Sequence, residues 1–377
     1  MLGIPPQTLR NRYEAALARG ITSAPVLTQN IEAQLKQQVQ RLTAELRRVN
    51  EQDLETEFVR SKIIGLRDAV NAAPDETWHW DAKQGVKTPG VPTLFLSDLH
   101  WGEVVKGAQI MRKNEYSPAI ARERMKTLIE SAIHLCNIVD PKFRFPGIVV
   151  PLGGDMISGN IHEELMATNE LNSMPAVLDL YSVLVAAITR LADAFGAVRL
   201  PCVTGNHGRD THKIWHKDRH ATSFDWLLYN FLAKHFENDK RVRFYIPDGP
   251  DAHYRIFGHR YLLTHGDQFR GGDGMIGALG PIIRGDHKKR SRNSQIGLDY
   301  DTMICGHWHQ YMHLTRLIVN GSLKGYDEYA FNSNFPFERP QQALWLTHPK
   351  YGITYRMPVY VSDAPNAAVP PNWTSME

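Results

Sequence analysis

Five short, β-like apolar runs between residues 91 and 309 each end in an oxygen or imidazole donor, usually beside a glycine. "PTLFL" runs into "SDLHWGE", bringing Asp98 and His100 two residues apart. "GIVVPLGG" ends at Asp155, "VRLPCVTG" at Asn206 and His207, "RYLLT" at His265, and "DTMICG" at His307 and His309. In open α/β sheets ligand sites form beyond the carboxyl ends of strands, so five such endings can meet in one crevice. Glycine allows the sharp turns and the close backbone approach this requires. Each ending has a plainer reading alone: Asp98 as a helix cap, Asp155 as part of a turn, Asn206 as an αL residue, His265 as a core histidine. Those readings do not account for five in order.

The donors are aspartates, an amide and histidines, without a thiolate. Such a set suits Mn²⁺, Fe or Zn²⁺ and disfavours a sulfur-rich structural zinc site. They are too many for one ion. Two ions sharing one bridging carboxylate accommodate them, an arrangement that clamps the attacking and leaving oxygens of a phosphate ester.

The remaining composition agrees with an enzyme-sized globular chain. Its 377 residues are 42% hydrophobic and 22% charged, enough for one large α/β domain plus an appendage. No run approaches the roughly 18 apolar residues of a membrane span, and the polar N-terminus lacks a signal-peptide core. Three dispersed cysteines, Cys136, Cys202 and Cys305, point to structural thiols in a reducing cytoplasm. At a net charge of +3, affinity for a polyanion must come from local clusters.

Residues 1–22 read as a partial helix-turn-helix: "LGIPP" as the turn, then a helix closed by Gly20, placing Arg10, Arg12 and Tyr13 where a recognition helix meets DNA. A short amphipathic docking helix is the alternative. Within 23–72, Leu35, Val39, Leu42, Leu46 and Val49 follow heptad spacing, which suits a short coiled-coil homodimer or a helix laid on the main domain. Residues 73–90 have the punctuation of a linker, 91–362 alternate β-rich and helical texture, and 363–377 form a proline-rich tail.

Taken in order, "DLH", "GGD", "GNH", "TH" and "GHWH" resemble the signature of the calcineurin-like metallophosphoesterases, over about residues 91–325. The resemblance implies an α/β fold, a four-layer sandwich of two mixed β-sheets flanked by helices, here with an N-terminal helical extension. It implies that Asp98, His100 and His309 hold one divalent ion, that Asn206, His265 and His307 hold another, and that Asp155 bridges them. Mn²⁺ is the expected metal, with Fe, Zn²⁺ and Ni²⁺ also accepting these donors. His207 is implied to be catalytic without ligating, stabilising charge or protonating the leaving oxygen during in-line hydrolysis. The chain departs from the family pattern in two places. Gly208 stands where an acidic residue commonly orients the histidine, so Asp210 or a substrate group is expected to do so. The second block, "GGDMISGNIHEE", lacks the usual second Asp or Asn, leaving Asn160, His162 or Glu163 to line the pocket.

Two basic clusters bear on the substrate. "GRDTHKIWHKDRH" supplies Arg209, His212, Lys213 and Lys217, with Trp215 as a stacking partner; "RGDHKKRSRNS" supplies Arg284, Lys288, Lys289 and Arg290. Beside the crevice they would contact a phosphate backbone. "HGDQFRGGDG" (265–274) reads as a lid or a turn, and "VNGSLKGYDEYAF" (319–331) as a strand, a turn and a polar rim. The expectation is a DNA nuclease resembling phosphoesterases of phages and prophages, and by analogy the nuclease subunit of double-strand-break repair complexes. In that case the chain works in the cytoplasm of a bacterial host. The alternatives are a phosphatase or nucleotide phosphodiesterase, and a DNA-binding adaptor with a structural metal site.

Overall fold

The chain divides into two compact units, residues 1–84 and 85–377. The computed structural model describes residues 88–271 and 277–362, with isolated positions between 11 and 41. Of the first unit, Asn11, Arg12, Glu14, Ala15, Ala18, Gln37, Gln40 and Arg41 are helical. The heptad seam, the DNA-contact expectation for Arg10 and Tyr13, most of the linker, part of the glycine-rich loop and the tail lie outside the described residues.

The second unit is built on two sheets. The first has the order β11-β10-β1-β2-β3-β4: β1 (Val91–Leu94), β2 (Ile148–Val149), β3 (Val198–Pro201), β4 (Val242–Tyr245), β10 (Gln341–His348) and β11 (Gly352–Tyr360). The second has the order β5-β6-β7-β9-β8: β5 (Asp251–Ile256), β6 (His259–Thr264), β7 (Thr302–Cys305), β8 (Met312–His313) and β9 (Leu317–Val319). Strands β1 to β4 run parallel to one another, as do β6, β7 and β9, while β10, β11, β5 and β8 pair antiparallel. Both sheets are therefore mixed.

Period-two alternation builds the layers. Phe95, Ala343 and Trp345 of the first sheet meet Tyr261, Leu263 and Ile304 of the second in a shared core. Their neighbours Leu94, Leu96, Leu344 and Leu346 point the other way, into a core completed by helices α1 (Pro118–Val139), α3 (Ser173–Phe195) and α4 (Phe224–His235). On the far side, Leu262, Met303 and Cys305 pack on Ile282 of α5 (Leu279–Gln295). Helix, sheet, sheet, helix is the expected four-layer sandwich. Two short helices, α2 (Glu163–Thr168) and α6 (Glu328–Asn332), sit on its loops.

Helix α3 corrects one expectation: by length and composition it is apolar enough to cross a membrane. Its Ala176, Val177, Leu180, Leu184, Ile188 and Leu191 are buried in the sandwich core, while Met174 and Leu178 on its other face are exposed. The three cysteines are free and buried, with burial raising each thiol's pKa.

Candidate metal centre

Parallel pairing brings the carboxyl ends of β1, β2 and β3 together in one sheet and those of β6 and β7 together in the other. Backbone bonds then join the loops beyond them. Asp98 N–H donates to Gly154 O at 3.1 Å and His100 N–H to Asp155 O at 3.1 Å. Gly306 N–H donates to His265 O at 2.9 Å. Across the sheets, His307 N–H donates to Asp98 Oδ1 at 2.8 Å.

Three groups of donors result, each with its ligating atoms within 4.8 Å of one another: Asp98, His100 and His309; Asp155, His265 and His307; and His100, Asp155 and His207. Asn206 joins the second, its Oδ1 lying 3.2 Å from His265 Nε2. All seven residues expected to ligate thus converge, and Asp155 belongs to two groups, the position a bridging carboxylate needs. His207 lies within the same reach, so proximity alone does not separate it from the ligands.

Several features fit a pair of cations. His100 Nε2 and His309 Nε2 face each other at 3.0 Å. Asp98 and Asp155 are fully buried, and their nearest ionic partners are imidazoles (3.4 Å from His309, 3.0 Å from His265), not Lys or Arg. Asp98, His100, Asp155, His307 and His309 all have φ between 46° and 70°. For non-glycine residues that region costs about 1–2 kcal/mol each, and such strain persists where surrounding structure imposes it.

The electrostatics follow from burial. Desolvation lowers His100 and His307 to about 4, so both are neutral at physiological pH, the form that ligates. Burial works against the charge on Asp98 and Asp155, but surrounding imidazoles hold both carboxyls below their usual range. Desolvation would lower His265 too; the carboxylates of Asp155 and Asp98 outweigh it and push His265 up to about 10.

The next layer of residues fixes orientation. His265 Nδ1 bonds Gly153 O at 2.8 Å, directing Nε2 at Asp155 and Asn206. His207 Nδ1 bonds Ser158 O at 2.8 Å. Asp210 is exposed, so the expectation that it orients His207 is corrected: a backbone carbonyl does so. The glycine at 208 now has a cause. A Cβ there would stand 2.7 Å from Oδ1 of Asp225, a buried carboxylate that accepts N–H bonds from Gly205 (2.9 Å), Asp155 (3.1 Å) and Met156 (3.2 Å). Burial, with Asp155's charge, raises Asp225 to about 6.

Glu103 was missed as a separate participant. Its Oε2 lies 3.4 Å from His100 Nδ1 and 3.1 Å from Ser158 Oγ, and its Oε1 takes Lys324 Nζ at 2.9 Å. Lys324 is also paired to Asp327 at 2.6 Å, so 319–331 contributes a buried ionic network, not the polar rim expected. "SDLHWGE" hinted at Glu103 through its acid three residues after His100; nothing in the spacing of Asp225 or Lys324 marked them. His162, Asn160 and Glu163 are all exposed; of the three, His162 lies edge-on to His207, with ring centroids 5.8 Å apart.

The basic residues divide. His212, Lys213 and Lys217 are exposed beside Trp215, which shares a small recess with Gly205 and Asn206. Three others are corrected, because their charge is used internally. Arg209 braces its own loop, bonding Asn206 O at 2.8 Å and Thr211 O at 3.0 Å. Lys289 is buried and paired with Asp251 at 2.6 Å. Arg290 bonds Asp286 at 2.8 Å and Tyr300 O at 2.9 Å, stacking 4.3 Å from that ring. Arg284 and Lys288 are exposed on α5, on the wall of a separate cavity.

Two mixed sheets flanked by helices, with a ring of donors at their carboxyl ends, are the arrangement that the resemblance to the calcineurin-like metallophosphoesterases implied. No family model and no curated protein matches the chain. Among solved structures it is similar to a dimetal phosphatase from Danio rerio (11% identity over 73% of this chain and 100% of that one, TM-score 0.35). It is also similar to a putative 5'-nucleotidase from Staphylococcus aureus (13%, 75% and 56%, TM-score 0.31) and to Vps29 from Entamoeba histolytica complexed with zinc (11%, 71% and 99%, TM-score 0.28). Likeness at this level adds nothing to the chemistry, which rests on the donors themselves.

Proposed function

We propose that the protein is a dinuclear metal-dependent phosphoesterase that hydrolyses phosphodiester bonds, with DNA as substrate, Mn²⁺ as the working metal and the cytoplasm as its location. The observation that carries the reading is Asp155, a buried carboxylate within ligating reach of His265 and His307 on one side and of His100 on the other. When bound, the ions supply Lewis-acid charge for the phosphoryl oxygens and for activation of a water. The chain does the rest. Asp98, His100 and His309 hold one ion, and Asn206, His265 and His307 the other. With Nδ1 of His207 donating to Ser158 O, its second nitrogen, Nε2, carries the proton that passes to the leaving oxygen. That proton is present only in the imidazolium form; burial lowers His207's pKa, so the neutral imidazole is favoured and the fraction able to donate falls as pH rises.

DNA is favoured over a small ester by the exposed His212, Lys213 and Lys217 beside Trp215, at the edge of the Asn206 loop. The test is a panel of divalent metals against labelled single- and double-stranded DNA, a small diester and a monoester. Metal-dependent DNA cleavage is expected. Brisk turnover of the small esters without DNA cleavage would replace this reading with a phosphatase or nucleotide phosphodiesterase. DNA binding with no hydrolysis of any ester would leave the adaptor.

A further inference from the structure

Between the loop after β6 and helix α5 lies a second concavity, of about 290 Å³, that the metal centre does not use. Its walls carry Arg270, Arg284, Lys288, Lys289 and Arg292, with Phe269 beneath them. Arg284, Lys288 and Arg292 stand at i, i+4 and i+8, forming a cationic stripe along one helix face. Gly285 makes the concavity. A Cβ there would overlap the Phe269 ring, so only glycine lets that buried ring wedge against α5. Lys289 Nζ sits 5.8 Å from the ring's centroid. Among the described residues Asp251 compensates part of the charge, taking Lys289 at 2.6 Å and Arg292 at 2.5 Å. Arg270 and Lys288 are exposed on the walls and keep their positive charge toward the cavity.

Guanidinium forks and an ammonium around a concave wall match the donor needs of a phosphate group. The position is informative too. Arg270 is five residues beyond His265, which limits their Cα separation to about 18 Å. Phosphates along one strand follow at roughly 3.4 Å of helix axis, so a strand engaged at the metal ring brings another phosphate here within about five nucleotides.

We infer that this cavity is an accessory phosphate site, holding the backbone of a polynucleotide strand a few nucleotides from the scissile bond. The inference rests on the phosphodiesterase reading above and gives its polymeric substrate a second point of attachment away from the metal centre.

The test is fluorescence anisotropy of the full chain with a labelled single-stranded 15-mer, in chelator, across a salt series. Arg270→Glu, Lys288→Glu and their combination are compared with wild type and with Lys288→Arg, with thermal melts confirming folding. The expected result is at least about tenfold weaker binding for the double variant. Its log–log salt slope falls by about 0.7 for each lost contact, and Lys288→Arg stays near wild type. Unchanged affinity and slope, or no binding by wild type, overturns the inference. Binding that the glutamates weaken, in a wild-type protein that hydrolyses no diester, keeps the phosphate site and removes the phosphodiesterase reading. Diester hydrolysis by a wild-type protein whose strand binding ignores the glutamates does the reverse.

Discussion

Gly306 lies between β7 and His307, and its backbone does not require glycine, since its φ is not positive. Its need is steric. A methyl group at 306 would stand 2.7 Å from Ser97 Oγ and closer still to Asp98 Oδ2, against an ordinary contact of about 3.4 Å. Ser97 and Asp98 are both fully buried, and the serine hydroxyl is itself bonded to the Asp98 carboxylate. In Gly306→Ala the carboxylate must therefore retreat by at least about 0.7 Å, beyond the ±0.2 Å tolerance of a metal–ligand distance. Loss of one well-placed ligand is expected to weaken the Asp98 ion by at least the 10- to 100-fold seen for outer-shell changes, about 1.4–2.8 kcal/mol. Overpacking costs about 1–3 kcal/mol of folding stability, so the variant should still fold. The assay is titration of metal-stripped protein with Mn²⁺, beside turnover of a small diester. Gly258→Ala, where the methyl meets open space, serves as control. Two ions bound by Gly306→Ala with wild-type affinity would refute the placement of Asp98 as a ligand.

Other expectations follow from the same geometry. Asp155→Asn keeps shape but removes the charge common to two donor groups; metal content should drop from two ions per chain to one or none, with turnover lost, as elemental analysis and kinetics would show. His207→Ala should lower turnover by about 10²–10⁴ while both ions remain bound; loss of an ion instead would make His207 a ligand. Away from the site, burial, with Arg356's charge, pushes His313 down to about 3. The unfolded imidazole, near 6.5, takes up its proton first, so stability should fall as pH drops from about 6.5 toward 3, by at most about 1.4 kcal/mol per pH unit. His313→Gln should flatten that slope in denaturant unfolding; parallel slopes would contradict it.

The convergence of the seven donors was legible in the chain because strand endings are local features. A run of apolar residues, a glycine and a donor place that donor at a carboxyl edge whichever strands become neighbours. Asp225 was not legible: it reads as an ordinary acid in the first turn of α4, and only the packing of that helix under the Asp155 loop sets it against Gly208. Lys324 and Asp327 looked like surface because charged residues near a turn usually are, yet their mutual pairing with Glu103 lets them be buried. The basic clusters were misjudged in the same way. Composition locates a cluster on a helix, but the helix's rotation decides that Lys288 faces the cavity while Arg290 packs on Tyr300.

What the sequence alone determined is therefore the identity and order of the donors, and through alternation the layers of the sandwich, since both depend on spacing over a few residues. Which carboxylate lies between the two triads, which carbonyl orients His207 and which cations stay available to an anion were decided only in three dimensions. Those relations join residues tens to hundreds of positions apart, and nothing but the packing of the two sheets and their helices brings them into contact.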